Sequence, residues 1–411
     1  MRVNGRDHRR RVVAGHGQLR RPGAAGQLLK IIGMALAVVL VSGIGVAAFI
    51  GTTLLNTVSE NSVEIEGAES VPPDIAEYEG GFNLLLVGVD VCEPEYAHLF
   101  PGRCTDGTSD GVLNDTNLIV HVSDEPRRVT AISVPRDTML PIPSCTDENG
   151  RISSAMEKQP LNSAWSYGGL NCVVQTLSDL TGLEIQYAAS VTWGGVIEIT
   201  DAIGGVEVCL ATPIKDEHTL LDLPAGTRNI QGYEALQFLR TRYGVGDGSD
   251  VGRIGNQQQY MSSLARKMLS SEVLGNVGTM LKLADTAVQN LTTSTTLTPM
   301  TIAQIALALK DVPTSDIVFV QYPTGADPDD PGAKLVPNDD AADVLMAAIE
   351  ANQPLGITHE NNDNAGVIVE TPEPVDVGAS ATPSATETVV ALPESVQGNS
   401  ADQRTCSNGN G

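Results

Sequence analysis

The 411-residue sequence is poor in aromatic and in basic residues. Phe, Trp and Tyr make up 4% of the chain, and 25 Lys and Arg residues stand against 50 Asp and Glu residues, which gives a formal net charge of -25. Residues 1–30 hold eight of the basic side chains, so the remaining 381 residues carry 17 basic and 49 acidic ones. A nucleic-acid-binding surface needs a basic footprint. The composition therefore argues against nucleic acid as a partner.

Cysteine is also scarce, and its positions are informative. The six cysteines are Cys92, Cys104, Cys145, Cys172, Cys209 and Cys406. Their spacing does not resemble a zinc site, and an even number fits disulfides in an oxidising compartment. Cys92–Cys104 and Cys145–Cys172 are predicted pairs because each would close a local loop.

Charged residues are absent from positions 31–59, which include a 25-residue apolar run. A bilayer core needs roughly 20 apolar residues in a helix. The sequence therefore predicts a transmembrane helix at 31–55, with the basic segment 1–30 in the cytoplasm and the rest of the chain outside. A cleaved signal peptide is the alternative, but its apolar region is shorter, roughly 7–15 residues. An uncleaved anchor in the cell membrane is favoured.

The remaining chain divides by composition into three parts. Residues 56–81 are acidic with a Pro-Pro pair, as is typical of an extracytoplasmic linker. Residues 82–355 alternate short apolar runs with helical patterns, which predicts a layered α/β domain. Residues 356–411 are rich in Thr, Ser, Pro and Glu, with too few large apolar groups to offset the entropy of ordering, so a disordered tail is predicted.

Apolar periodicity predicts the elements of the 82–355 domain. The predicted strands are Phe82–Val89, Thr116–Val122, Val129–Val134, Ile185–Val191, Gly205–Cys209 and Asp316–Tyr322. The predicted helices are Leu161–Leu180, Trp193–Ile203, Gly232–Arg240, Ile254–Ser270, Gly275–Leu291, Thr301–Leu309 and Asp339–Ala351.

Two aspartates lie beside the first predicted strands. The segment NLLLVGVD ends in Asp90, and ligands of α/β sheets gather at the carboxyl ends of strands. The segment LNDTNLIVHV places Asp115 at the start of the next strand. Two carboxylates that share a hard cation with a phosphate substrate form the usual magnesium arrangement. From the spacing alone, turn or capping roles are the simpler interpretation of both residues.

Arg136 follows a strand that Pro135 ends, in the segment AISVPRD. Proline cannot donate to a sheet ladder, so the chain leaves the sheet there and Arg136 projects from a fixed backbone. Arginine binds phosphate through two parallel hydrogen bonds, and it also pairs with carboxylates such as the adjacent Asp137. The sequence leaves these two roles equally open.

Three arginines lie within 14 residues in the segment FLRTRYGVGDGSDVGRIGNQ. Arg253 and Gln257 are four residues apart, so they share one face of a helix. Arg240 and Arg242 reach one ligand only if the preceding helix ends near Leu239, and the glycines that follow favour such an end. Local charge balance is one explanation for this cluster, and a polyanionic ligand is the favoured one.

The sequence resembles the LytR-CpsA-Psr family over about residues 82–270. It does so in seven ordered motifs: NLLLVGVD, NDTNLIVHV, RRVTAISVPRDTML, LNSAWSYGG, ITDAIGGVEV, LPAGTRNIQGYEALQFLRTRY and SDVGRIGNQQQ. The cysteines near positions 145 and 172 resemble the actinobacterial type. The resemblance implies a three-layer α-β-α domain with a mixed central sheet and an apolar groove for a polyprenyl tail.

The resemblance also implies an activity. The expected enzyme is a phosphotransferase that moves a polyprenyl-pyrophosphate-linked glycopolymer to a peptidoglycan hydroxyl, with magnesium or manganese and with an accessory pyrophosphatase activity. Asp90 and Asp115 match the aspartates of the family's magnesium site. The residues that match its phosphate-binding positions are Arg136, Arg240, Arg242, Arg253 and Gln257. Asp90, Arg136, Arg240 and Arg242 are the expected catalytic group.

Two positions depart from the family pattern. Leu113 and Asn256 stand where the family commonly has arginine, and Arg103 is a candidate to replace the first lost charge. These departures favour one alternative to an enzyme. The chain would then be a non-catalytic extracytoplasmic protein that binds a lipid pyrophosphate or a wall polymer.

Overall fold

The computed structural model of the protein describes residues 62–63, 80–105, 111–147, 149–248, 250–270, 286–287, 289–357, 366–369 and 389–410. The predicted cytoplasmic segment 1–30 and the predicted transmembrane helix 31–55 lie outside these residues. Within the described ranges, no helix has both the length and the apolar character needed to cross a bilayer.

The described chain forms strands, α-helices and a few short helical turns. The strands are β1 Ser62–Val63, β2 Phe82–Val89, β3 Asn114–Val122, β4 Val129–Ser133, β5 Met139–Ile142, β6 Cys145–Thr146, β7 Ile152–Ser153, β8 Met156–Pro160, β9 Tyr187–Val191, β10 Val206–Leu210, β11 Ile214–Asp216, β12 Leu221–Leu223, β13 Gly226–Ile230, β14 Leu291–Ser294, β15 Ile317–Gln321, β16 Thr324–Ala326, β17 Leu335–Pro337, β18 Leu355–Gly356, β19 Val367–Val369, β20 Val390–Ala391, β21 Gly398–Ser400 and β22 Thr405–Ser407. The α-helices are α1 Ala164–Thr181, α2 Trp193–Ile203, α3 Gly232–Arg240, α4 Asp250–Met268, α5 Pro299–Leu309 and α6 Asp339–Glu350. Short 3-10 helices span Ala97–Leu99, Leu161–Ser163 and Thr314–Asp316, and Pro101–Thr105 is a π-helical turn.

A mixed eight-stranded sheet lies at the centre, in the order β1-β14-β9-β2-β3-β4-β15-β21. Strand β2 is parallel to β9 and antiparallel to β3. Strand β4 is antiparallel to β3 and parallel to β15. Because β2, β4 and β9 run in one direction and β3 in the other, the carboxyl ends of β2, β4 and β9 meet the start of β3 at one edge. This edge is called the carboxyl edge below.

Helices cover both faces of the central sheet. On β2, Leu85 and Val87 lie in an apolar cluster with α1 and α6, whereas Leu84 and Leu86 lie against a cluster with α4 and α5. This division follows from the two-residue period of a strand, which sends successive side chains to opposite faces. The predicted α/β fold with a mixed central sheet is confirmed, and helices form a layer on each side of it.

Local patterns predicted the longer strands and helices of the domain, but not the short strand pairs β5-β8, β6-β7, β11-β12 and β16-β17. Phe82–Val89, Trp193–Ile203 and Gly232–Arg240 have the predicted bounds residue for residue. The predicted helix Gly275–Leu291 lies mostly outside the described residues, and its last residue begins β14 instead. Within the predicted linker, Ser62–Val63 forms β1 and pairs in parallel with β14.

The prediction of a disordered tail over residues 356–411 is wrong for its described parts. Strand β21 pairs with β15 at an edge of the central sheet. Strand β22 lies between β10 and β19 in a second sheet of order β13-β10-β22-β19. These polar strands are ordered because existing sheet edges supply partners for their backbone groups, which the composition of the segment does not reveal.

Three disulfides are present. Cys92–Cys104 and Cys145–Cys172 are the two predicted pairs. The third, Cys209–Cys406, joins β10 to β22 and so attaches the C-terminal segment to the domain.

Candidate active site

Asp90 directly follows β2 at the carboxyl edge, and its side chain is 5% exposed. Its Oδ1 accepts a hydrogen bond from the Leu113 backbone N–H at 2.6 Å, and the Asp90 N–H donates to the Leu113 carbonyl at 3.2 Å. Its other carboxylate oxygen pairs with the Arg103 guanidinium. Leu113 therefore holds Asp90 through its backbone alone, and the predicted substitute Arg103 brings the positive charge to this carboxylate.

A β-bulge presents Asp115 at the same edge. Gly88 pairs with Thr116 and Val89 pairs with Asn114, so Asp115 is the extra residue between two paired positions. A bulge interrupts the ladder and redirects the side chain of the extra residue. This local irregularity gives Asp115 its orientation, and residue spacing alone does not reveal it.

Two of the predicted phosphate-binding arginines meet at Asp115. Arg136 Nη1 donates to Asp115 Oδ1 at 2.6 Å, and Arg253 Nη2 donates to the Asp115 carbonyl oxygen at 3.2 Å. Asp137 lies farther from Arg136, with 3.6 Å between Oδ2 and Nε, and it accepts a hydrogen bond from Lys334 Nζ at 2.9 Å. Arg136 is therefore bound more closely to Asp115 than to its chain neighbour.

Arg240 is the last residue of α3 and lies against two aromatic rings. Its Cζ is 4.1 Å from the ring centre of Trp193 and 5.0 Å from that of Phe100. Burial lowers the pKa of Arg240, and the charges of Asp115 and Asp90 oppose this change. The guanidinium is thus held by cation–π contacts within the electrostatic reach of both carboxylates.

The turn after α3 sends Arg242 in another direction. The backbone is extended at Thr241, whose Oγ1 donates to Oδ2 of the buried Asp216 at 2.7 Å, and the Arg242 N–H donates to the same oxygen at 3.1 Å. Arg242 Nε donates to the Gly248 carbonyl at 3.3 Å, and its Cζ is 5.6 Å from the ring centre of Tyr243. Among the contacts of the described residues, none joins Arg242 to the two aspartates.

Gln257 and Asn256 support the end of α3 from helix α4. Gln257 Nε2 donates to the Leu239 carbonyl at 2.9 Å, and Asn256 Nδ2 donates to the Phe238 carbonyl at 2.8 Å. The last carbonyls of a helix lack partners within the helix, and these amides supply them. Asn256 Oδ1 also accepts a hydrogen bond from Ser407 Oγ at 2.5 Å. Asn256, which stands where the family commonly has arginine, therefore links α3 to strand β22.

The two aspartates form a donor set that fits a hard cation. Burial raises the pKa of Asp90 to about 6, the Leu113 N–H and the Arg103 charge lower it, and the neighbouring Asp115 charge raises it further. Among the described residues, no cluster of three or more His, Cys, Asp or Glu side chains is arranged to hold a metal. Magnesium uses one or two carboxylates and completes its coordination with water and phosphate oxygens. Asp90 and Asp115 fit this pattern.

Three residues of this region were not identified from the sequence: Phe100, Trp193 and Asp216. Trp193 is one of only two tryptophans in the chain and begins the helix that follows β9, so its position at the carboxyl edge was a usable signal. Phe100 lies between the paired Cys92 and Cys104, which indicated an ordered loop. Asp216 was not identified because the partners that connect it to this region, Thr241 and Arg242, are about 25 residues away.

Comparisons with known proteins identify relatives of this chain. A model described as the LytR_cpsA_psr family matches residues 49–348. The chain is 29% identical over 276 residues to the cell wall biosynthesis protein LcpA of Corynebacterium glutamicum, which covers 61% of this chain and 51% of LcpA. It is 25% identical over 267 residues to the polyisoprenyl-teichoic acid–peptidoglycan teichoic acid transferase TagT of Bacillus subtilis, which covers 63% of this chain and 74% of TagT. The match thus spans about half the length of LcpA.

A solved structure shares the fold. The LytR-Csp2A-Psr enzyme from Actinomyces oris aligns with a TM-score of 0.50 and 23% identity, over 70% of this chain and 94% of that chain. At this identity the likeness supports the fold alone. The family model matches well over half of the chain, in agreement with the ordered motifs and the mixed sheet, and the chain therefore belongs to the LytR_cpsA_psr family.

Proposed function

We propose that this protein is a cell-wall glycopolymer ligase, a phosphotransferase that moves a polyprenyl-pyrophosphate-linked glycopolymer onto a peptidoglycan hydroxyl. Its family and the transferase activity named for TagT support the reaction class. The observation that carries the proposal is a group of arginines beside Asp90 and Asp115 at the carboxyl edge. These arginines are Arg103, Arg136, Arg240 and Arg253.

The arginines of this group favour an anionic ligand. They lie near Asp90, Asp115 and Asp137 in a chain whose residues after position 30 are strongly acidic. A polyanion among these arginines is stabilised by their charge, and the planar guanidinium matches phosphate oxygens in geometry. A diphosphate is therefore the ligand that this edge fits best.

The proposed reaction is a displacement at the phosphorus atom next to the polymer. The peptidoglycan hydroxyl oxygen forms the new P–O bond, and the bond from that phosphorus to the bridging oxygen breaks, which releases prenyl phosphate. Arg136 and Arg240 neutralise the charge that develops on the leaving group. The hydroxyl proton passes to a carboxylate, and Asp90 is the favoured acceptor when it does not hold the cation, because burial then raises its pKa to about 6.

Asp90 and Asp115 would hold magnesium, with manganese as a substitute. When bound, such an ion neutralises phosphate charge and helps to orient the diphosphate. The protein fixes the two carboxylates by different means. Asp90 is held by the Leu113 backbone N–H, and Asp115 is held by the β-bulge and by Arg136.

The proposed site of action is the outer face of the cell membrane. A helix at residues 31–55 would anchor the domain in the bilayer that also holds the polyprenyl tail of the donor. The disulfides of the described domain fit an oxidising compartment. The proposed partners are the lipid-linked glycopolymer, peptidoglycan and the membrane, without nucleic acid.

Full-length protein in detergent, incubated with geranylgeranyl pyrophosphate, tests the proposal. Water takes the place of the acceptor hydroxyl in this assay. Release of inorganic phosphate therefore reports cleavage of the P–O–P linkage of the diphosphate. We expect release in the presence of Mg²⁺ and little release after chelation with EDTA. The full chain is the appropriate material because β21 and β22 lie beyond the predicted domain boundary at residue 355.

A non-catalytic binding protein is the competing function, and the same experiment separates the two. Such a protein would bind the lipid pyrophosphate, as measured by calorimetry, and would release no phosphate with or without Mg²⁺. That result would show that the protein binds the lipid pyrophosphate but does not act as a ligase. Absence of both binding and phosphate release would contradict both functions.

A further inference from the structure

The chain between Cys92 and Cys104 forms a covalently closed loop, called the 92–104 loop below. Cys92 lies two residues after Asp90, and Cys104 directly follows Arg103. The disulfide brings the Cα atoms of the two cysteines to 5.4 Å. The backbone that carries Arg103 is therefore attached to the end of the strand that carries Asp90.

The 92–104 loop is also docked on the start of helix α2. Glu93 accepts hydrogen bonds from Thr192 Oγ1 and from the Gly194 N–H, both at 2.7 Å. Phe100 is buried, and its ring centre lies 4.3 Å from that of Trp193. These contacts give the loop a defined position against the helix that borders the site.

The loop contributes to the arginine group in two ways. The Phe100 ring lies 5.0 Å from Arg240 Cζ, so it forms part of the surface on which that guanidinium rests. Arg103 pairs with Asp90, and its Nη2 donates to the Gly111 carbonyl at 3.0 Å. The charge of Arg103 lowers the pKa of Arg240, so the two cations act on each other across the site.

Two observations indicate a ligand for Arg103 beyond Asp90. The Arg103 side chain is 27% exposed, whereas that of Asp90 is 5% exposed, so Arg103 is the member of the pair that a ligand can reach. Its Nε is buried and has no hydrogen-bond partner among the residues that the structure describes. Arginine commonly binds a phosphate through two N–H groups at once.

We propose that Arg103 is a further phosphate-binding residue and that the Cys92–Cys104 disulfide holds it in the site. The inference deepens the proposed function and rests on it. Arg103 approaches Asp90 from the 92–104 loop, whereas Leu113 offers Asp90 only its backbone. The positive charge beside this carboxylate therefore comes from a loop that a covalent bond fixes.

Binding of a non-hydrolysable ligand to the full-length protein tests the role of Arg103. The probe is geranylgeranyl methylenebisphosphonate, in which a CH₂ group replaces the bridging oxygen, and calorimetry with Mg²⁺ gives the Kd. We expect Arg103→Ala to raise the Kd about 10-fold to 100-fold, the effect of losing a hydrogen bond to a charged group. Arg103→Gln should weaken binding as much, and Arg103→Lys should weaken it less.

A matched control and a folding measurement accompany these variants. Arg151 is 80% exposed and pairs with Asp147 four residues away, so Arg151→Ala should leave the Kd within about twofold of wild type. Thermal unfolding shows which variants are folded, and the Gln and Lys variants decide the result if the Ala variant does not fold. Wild-type affinity in a folded Arg103→Gln protein overturns the role of Arg103. Failure of the wild-type protein to bind the probe overturns the proposed function as well.

The contribution of the disulfide is tested by combining substitutions. Replacing Cys92 and Cys104 by Ser should raise the Kd several-fold, because Arg103 is then held less firmly. The same replacement in the Arg103→Ala protein should raise the Kd by a smaller factor, because the bond acts mainly through that arginine and only the support of Arg240 by Phe100 remains to be lost. An equal loss in both backgrounds would show that the disulfide acts independently of Arg103 and would overturn this half of the proposal.

Discussion

Arg240 and Arg242 are two residues apart and have different surroundings. The aromatic rings of Trp193 and Phe100 contact Arg240, which also lies in the field of the two carboxylates. Arg242 is directed to the Gly248 carbonyl instead. Ring contacts hold a guanidinium by its face, which leaves its N–H edge available to an anionic ligand. The structure therefore separates two arginines to which the motif resemblance gives the same role.

We predict that Arg240→Ala lowers kcat for phosphate release from geranylgeranyl pyrophosphate by about 100-fold or more, the usual effect of losing one donor to a transition-state anion. Arg242→Ala should lower it by less than about tenfold. The exposed Arg151 provides a control substitution, and thermal unfolding shows that each variant is folded. If Arg240→Ala and Arg242→Ala lowered kcat by the same factor, the different roles inferred for the two arginines would be wrong.

At the scale of secondary-structure elements, the hairpin of β11 and β12 fixes the turn after α3. Asp216 ends β11 and is 2% exposed, and its carboxylate accepts hydrogen bonds from Thr241, Arg242 and His218. Burial alone would raise the pKa of Asp216, but the hydrogen bonds together lower it below its ordinary value. The ionised carboxylate thus stabilises the turn that separates Arg240 from Arg242.

Asp216→Asn is expected to lower the free energy of unfolding by about 1–3 kcal/mol at pH 7, because an amide replaces a carboxylate that accepts several hydrogen bonds. The folded-state pKa of Asp216 lies below its unfolded value. Its stabilisation is therefore complete above about pH 4 and is lost as the pH falls through the folded-state pKa. Urea unfolding at pH 7 and at several pH values below 4 gives the free energy of unfolding of the wild-type protein and of Asp216→Asn. The difference between the two free energies should become smaller as the pH falls. Asp222→Asn, an exposed position of the same hairpin, is the control, and a difference that is constant with pH would contradict the prediction.

The sequence predicted those secondary-structure elements whose residue pattern lies within one short stretch of the chain. Helix Gly232–Arg240 was readable because its apolar spacing and the glycines after it lie within a short stretch. The contact between Asp216 and Thr241 and the bulge at Asp115 depend on pairing between separate elements, and neither leaves a local pattern. For the same reason the arginine cluster was predicted as a group, but the different direction of Arg242 was not.

At the scale of the whole molecule, the C-terminal segment connects regions that are distant in sequence. Strand β21 pairs with β15 in the central sheet, and Cys406 in β22 is bonded to Cys209 in β10. The Asn408 carbonyl accepts a hydrogen bond from the Gly246 N–H at 3.1 Å, and Asn410 Nδ2 donates to the Tyr243 carbonyl at 2.7 Å. Residues 398–410 thus contact both an edge of the main sheet and the loop that follows Arg242.

A chain ended at residue 355 is therefore expected not to form a stable domain, although its composition places the boundary there. The truncation exposes the edge of β15 and removes the partner strand of β10, and unpaired edges promote aggregation. Replacing Cys209 and Cys406 by Ser keeps every strand, so it should lower the free energy of unfolding by about 2–5 kcal/mol and preserve the fold. Gel filtration, and urea unfolding monitored by tryptophan fluorescence, compare the truncated protein and the protein without the Cys209–Cys406 disulfide with the full-length chain. A truncated protein that elutes as a monomer, unfolds cooperatively and releases phosphate at the full-length rate would show that the C-terminal strands are dispensable.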